Sequence, residues 1–270
     1  MRKTLQELTI MDNWMFGAVM LEPDTCRKLL ERALDKKISR VEVVQEKSLV
    51  YNPQYKGVRL DVYARDDQNT HFNVEMQVET TPIPRRSRYY HSQIDMEILQ
   101  SGKLYEELPD SYVIFITNYD PFGVGKYRYS FRQECREVPG YELGDGSHTI
   151  ILNNRGTNPD EVPEELVSFL RYTRADLEES QGEYEDEYVR ELQEKIRQIK
   201  ASREMGGLYM TFQEMLNEER EEGRKQGRIE GCKEGRMDER RRWINYLKDK
   251  GMLTEAEAVK VAEEITQEEE

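Results

Sequence analysis

The stretches GVRLDVYA (residues 57–64) and HFNVEMQVE (71–79) decide the fold. Apolar and polar residues alternate in both, which is the period of a β-strand. In the second stretch Phe72, Val74, Met76 and Val78 share one face, and His71, Asn73, Glu75, Gln77 and Glu79 share the other. The six residues between the stretches include Asp66, Asp67, Gln68 and Asn69, which favour turns, so the two strands are expected to form a hairpin. That hairpin brings Asp61, in mid-strand, beside Glu75, with Gln77 two residues further on the same face. Two carboxylates and an amide then converge on one spot of an apolar sheet. Ionised carboxylates seldom sit in such a pattern without a partner. Two carboxylates, a backbone carbonyl and waters make an oxygen-rich site suited to Mg²⁺ or Mn²⁺, an ion that activates water for attack on phosphorus. The plain alternative is a solvated strand face, on which Asp and Glu are ordinary.

The neighbouring segments extend this into an α/β core. Upstream, residues 12–35 have helical spacing, with a break and a fresh start at Glu22-Pro23-Asp24. Residues 41–51 are rich in Val and Leu and give a further strand. Downstream, a helix is expected over 85–102, beginning after Pro84, turning Tyr90, Ile94, Ile98 and Leu99 inward and closed by Gly102. Residues 112–117, YVIFIT, form the continuous apolar run of a strand buried on both faces. The order is helix, three strands, helix, strand. Two shorter β-like pieces follow in 127–153, then a helix over 162–179. A charged helical region spans 183–220, with Tyr188, Leu192, Ile196 and Ile199 on one stripe.

The expected division is a core over 1–155, a helical extension over 156–216, a short-repeat segment over 217–242, and an amphipathic helix with an acidic tail over 243–270. In the repeat, Gly223, Gly227, Gly231 and Gly235 recur every four residues. Each costs a helix about 1 kcal/mol relative to Ala. The segment is therefore either a helix open to close approach by a partner or a flexible charged linker, and the sequence favours neither.

Composition narrows the classes. The chain has 270 residues, 35% of them charged, and a formal net charge of −14. The acid excess lies in the C-terminal half, and residues 1–103 are close to neutral. This argues against unselective phosphate binding by the field of the whole molecule, while leaving room for a local nucleic-acid site. No run approaches the roughly 20 apolar residues of a membrane-spanning helix, and Met1–Ile10 has no apolar signal region. Three scattered cysteines have neither zinc-ligand nor redox spacing, which points to a reduced, cytoplasmic chain.

Five segments, DNWMFGAVM (12–20), GVRLDVYA (57–64), NVEMQ (73–77), RSRYYHSQID (86–95) and DSYVIFI (110–116), together with the element order, resemble the PD-(D/E)XK nuclease superfamily. More narrowly, they resemble the Rpn family of recombination-promoting nucleases and transposases. The resemblance covers residues 10–180, and the Gly/Arg-rich tail is similar more loosely. It implies a restriction-endonuclease-like core and metal-dependent hydrolysis of DNA phosphodiesters in recombination or mobile-element biology. It also implies metal binding by Asp61, Glu75 and the Met76 carbonyl. Gln77 stands where many members have Lys, so it can orient the attacking water by hydrogen bonds but brings no charge. Glu46 and Glu31 are candidates for an extra acidic ligand, and spacing favours neither.

Arg85, Arg86 and Arg88, with Tyr89 and Tyr90, open the helix after the site strands. Arginine forks suit phosphate, tyrosine suits stacking, and a helix N-terminus adds donors. The alternative is that Tyr90 packs inward and the arginines pair with acids such as Glu79. A second functional reading also stands. With Gln77 for Lys, an acidic total charge and a long tail, the chain could be catalytically impaired and act by binding, or by homo-oligomeric assembly through its C-terminal helical region.

Overall fold

The computed structural model describes residues 3–49, 58–252, 254 and 257; of 45–49 and 58–59 it describes the backbone alone. The order helix, three strands, helix, strand is present. Helices α1 (Asn13–Met20) and α2 (Pro23–Leu34) precede strands β1 (Val41–Leu49), β2 (Val58–Asp66) and β3 (His71–Gln77). Helix α3 (Ile83–Ile98) leads to β4 (Ser111–Thr117), followed by β5 (Arg128–Phe131), β6 (Ser147–Asn153), α4 (Glu164–Arg174), α5 (Glu187–Ala201) and α6 (Arg203–Asp249). The break expected at Pro23 is real, since Pro23 opens α2, where its missing N–H costs nothing. Asp35, in the left-handed conformation at φ 53°, ends α2.

Six strands form one sheet in the order β1-β2-β3-β4-β6-β5. The β2–β3 hairpin is closed by Asp66, whose Oδ1 accepts from the backbone N–H groups of Gln68 at 3.0 Å and Thr70 at 2.8 Å, while Asn69 takes φ 63°. From β3 the sheet turns parallel through β4 and β6, with α3 as the β3–β4 crossover. Strands in such a centre are covered on both sides.

Here the structure corrects a strand with one wet face, because every residue of β3 from His71 to Gln77 is buried. Register and alternation sort the two faces. Val62, Ala64, Phe72, Val74, Met76, Ile114 and Ile116 lie on one. Tyr63, His71, Asn73, Glu75, Gln77, Val113 and Phe115 lie on the other, beneath α3. There Tyr90 of α3 stacks on Phe115 at 6.0 Å, and His91 bonds Ser111 at 2.8 Å.

Helices α4 and α5 belong with α1 and α2. Asp186 caps α5 by accepting from Val189 N at 2.9 Å. Tyr188, Leu192 and Ile196 of the expected stripe are buried, and the Tyr188 hydroxyl donates to the Thr25 carbonyl at 2.9 Å. Two extents come out shorter than the sequence suggests. Of residues 127–138 only Arg128–Phe131 is strand, and α4 stops at Arg174. The glycine repeat is helix, within the 47 residues of α6, and a Cβ at any of its four glycines would meet nothing within 4 Å. The amphipathic stretch expected over 243–265 is α6 as far as Asp249; most of the remainder lies outside the described residues. The chain divides into two compact units, residues 1–206 and 207–270.

Candidate active site

The β2–β3 ladder runs from the turn to the pair Val62–Val74. At the next step side chains replace the backbone partners. The Asp61 backbone N–H donates to Glu75 Oε1 at 3.2 Å, and the Met76 backbone N–H donates to Asp61 Oδ2 at 3.1 Å. The two carboxylates therefore lie in a gap between the strands. In an extended strand the N–H and C=O of one residue leave on the same side, so the Met76 carbonyl faces that gap too. Asn13, in the first turn of α1, donates its side-chain N–H to Asp61 Oδ2 at 3.3 Å.

One arginine closes the gap from α3. Arg86 forms an ion pair with Glu75 Oε2 at 3.2 Å and donates to the Tyr90 hydroxyl at 2.5 Å, to Thr81 Oγ1 at 3.4 Å and to Gln77 Oε1. The Tyr90 hydroxyl in turn donates to Glu75 Oε2 at 3.4 Å. Gln77 Nε2 donates to the Glu79 carbonyl at 2.6 Å. Both ends of the Gln77 amide are thus engaged, and the side chain holds Arg86 instead of facing an open water site.

The electrostatics follow from burial. Glu75 is 3% exposed. Burial pushes its carboxyl well above the usual range, Asp61 beside it pushes the same way, and Arg86 pulls back only in part. Burial works against the Arg86 charge, but Tyr90, Glu75 and Asp61 outweigh it and raise the guanidinium further. Burial, then Glu75, pushes Tyr90 up to about 12, so its hydroxyl stays protonated and able to donate. Two facing carboxylates with a single arginine form a site in want of further positive charge. The donors present are two carboxylates and a carbonyl, a hard-oxygen set that fits Mg²⁺ or Mn²⁺ when waters and a phosphate complete the shell. Among the described residues no cluster of three or more His, Cys, Asp or Glu is placed to hold a metal.

The other nominated residues fare differently. Arg85 and Arg88 are exposed on α3, and only Arg86 enters the gap. Its acidic partner is Glu75, not Glu79. Glu31 is occupied elsewhere, accepting from the Ile38 N–H at 3.0 Å in the α2–β1 connection and pairing with Arg27 one turn back in α2 at 3.1 Å. The Glu46 side chain lies outside the described residues. Sequence reasoning missed two participants, Asn13 and Thr81. The only signal for Asn13 was an amide opening a helix whose remaining residues are apolar. Tyr90 was expected to pack inward; it does, and its hydroxyl also reaches the site. His71 and His91 hydrogen-bond within the protein, to Tyr63 and to Ser111 with Thr149.

A family model described as PD-(D/E)XK nuclease family transposase matches residues 13–211. Neither a curated protein nor a solved structure matches the chain.

Proposed function

Because the chain belongs to the PD-(D/E)XK nuclease family transposases, we propose that it is a divalent-metal-dependent DNA endonuclease acting in recombination or transposition. The observation that carries the reading is the pair of carboxylates that each accept a backbone N–H, Glu75 from Asp61 and Asp61 from Met76, across the gap where the β2–β3 ladder ends. Asp61, Glu75 and the Met76 carbonyl would hold Mg²⁺ or Mn²⁺. When bound, the ion acidifies a water and stabilises charge on the phosphoryl group. Arg86 brings the fixed positive charge that Gln77 cannot, placed to receive a phosphate oxygen. Gln77, Tyr90 and Thr81 hold that guanidinium in place, which makes Gln77 a positioning residue. Exposed Arg85 and Arg88 give the strand backbone two further phosphate contacts. The three described cysteines are unpaired, which accords with work in the reducing cytoplasm.

One observation favours a second reading. Arg86 already neutralises Glu75, so the fold can keep this site without metal and the chain could bind DNA without cutting it. Supercoiled-plasmid cleavage in Mg²⁺, Mn²⁺, Ca²⁺ or EDTA separates the two. Nicking or linearisation that requires Mg²⁺ or Mn²⁺, and is abolished in Asp61→Ala and Glu75→Ala, is expected. Cleavage surviving both substitutions would refute the site. A folded wild-type chain silent in every metal would leave the binding reading.

A further inference from the structure

A cavity of about 430 Å³ lies on the face of α3 next to the one that carries Arg86, within the size range of small-ligand sites. One wall is α3, through Arg88 and Asp95, and the opposite wall includes Phe122 and Phe131. The two phenylalanine rings are 5.2 Å apart and 37% and 45% exposed, so they offer unfilled stacking surface. The floor is a fixed polar chain. Ser87 and Thr149 hydroxyls bond at 2.5 Å, and His91 bonds Thr149 at 3.3 Å. Asp95 is half-buried, and among the described residues its carboxyl has no hydrogen-bond or ion-pair partner. Arg88 likewise has a side chain without a partner. The two lie seven residues apart, about 10.5 Å along the helix, too far to satisfy each other directly.

The cavity therefore asks for a flat ring against the exposed side of the Phe122–Phe131 pair, N–H donors toward Asp95, and an anion toward Arg88. We propose that it receives an unstacked guanine of the DNA strand bound at the cleavage site, with Asp95 accepting from the N1–H and N2–H groups of the base and Arg88 meeting a backbone phosphate. Guanine presents two adjacent donors to a carboxylate's two oxygens, whereas cytosine offers one amino group and adenine places an acceptor beside its amino group. Arg86 and Ser87 are consecutive on α3, so the guanidinium and the cavity occupy adjoining faces of one helix, about 100° apart, and the proposed strand crosses both. Taking a base out of the stack costs least where the DNA is already single-stranded or distorted.

This inference rests on the nuclease reading, and the test separates the two. The full-length chain in EDTA is titrated with labelled oligothymidylate of about twelve nucleotides, with and without one central guanine, and with adenine or cytosine there instead. The guanine strand is expected to bind about tenfold more tightly than the others, the effect of one bidentate base contact. Asp95→Asn should erase that preference while retaining binding. Phe122→Ala should weaken binding of all the single strands. Equal affinity for all four oligonucleotides, or a preference that survives Asp95→Asn, overturns the pocket assignment even if plasmid cleavage is intact. A wild-type chain that binds none of them overturns the pocket assignment, and plasmid cleavage in Mg²⁺ or Mn²⁺ then decides the nuclease reading by itself.

Discussion

The two faces of the central sheet are built from the same strands and have nearly opposite chemistry. Toward α1 and α2, β3 presents Phe72, Val74 and Met76; toward α3 it presents His71, Asn73, Glu75 and Gln77, all buried. A face of the first kind gains stability from transfer out of water. A face of the second kind must find a partner for each polar group or lose stability. On the α3 side Arg86 serves Glu75 and Gln77, Tyr90 serves Glu75, and Tyr63 serves His71, and where these partners fall short of the negative charge the candidate active site lies. The difference teaches that stability and chemistry occupy opposite sides of one strand, alternating residue by residue.

The strongest way to break this comparison is to mutate neighbouring positions on opposite faces. Phe72 is fully buried and stacked on Tyr112 at 5.4 Å. Phe72→Ala should cost about 3–5 kcal/mol in urea unfolding. Glu75→Gln keeps one acceptor oxygen for the Asp61 N–H but turns its amide N–H₂ toward Arg86, which retains Gln77, Thr81 and Tyr90, so it should cost about 1–3 kcal/mol, less than Phe72→Ala. It should nonetheless abolish metal-dependent cleavage. If Glu75→Gln unfolds the chain as readily as Phe72→Ala does, the polar face is structural and the division fails.

Much of this was legible in the residues themselves. Alternation in 58–64 and 71–79 gave the strands, Asp66 and Asn69 the turn, Pro23 the helix break, and the register brought Asp61 to Glu75. What alternation cannot give is which face another element will cover, so the polar side of β3 passed equally well for a wet surface. The rotation of α3 over the sheet is also a tertiary result, so the sequence named three arginines and the structure selects Arg86. The glycine repeat was undecidable for a different reason. Its glycines oppose a helix by about 1 kcal/mol each, while the Glu, Arg, Lys and Gln between them favour one, and pairs such as Gln226–Glu230 at 2.6 Å add to the helical side.

A smaller effect sharpens the contrast through pH. Burial, then the neighbouring His148, lowers the His91 imidazole to about 4, against about 6.5 in an unfolded chain. Between those values the unfolded state binds a proton that the folded state refuses. Stability from this group is therefore present above pH 6.5 and lost as the pH falls toward 4, by about 3 kcal/mol in all. Urea midpoints measured across that window should fall in the wild type and fall less steeply in His91→Gln. Identical slopes would mean that the α3 face admits a charged imidazole.

The smallest effect concerns a side chain from the α1–α2 layer that reaches the acids. Asn13 opens α1 and donates to Asp61 Oδ2 at 3.3 Å. Asn13→Ala removes a single hydrogen bond to a charged acceptor, worth about 1–2 kcal/mol at most and less at this length. Asp61 keeps the Met76 N–H, so the fold should survive with a slightly lower midpoint. Since only the aim of the carboxylate changes, the loss should appear as a severalfold higher Mg²⁺ requirement for plasmid cleavage, relieved by raising the metal concentration. Asn13→Asp places a third carboxylate at Asp61 instead, and the added charge should lower the metal requirement. If both variants respond to Mg²⁺ as the wild type does, Asn13 serves only the helix start, and the two layers of the molecule meet at the acids without sharing in their chemistry.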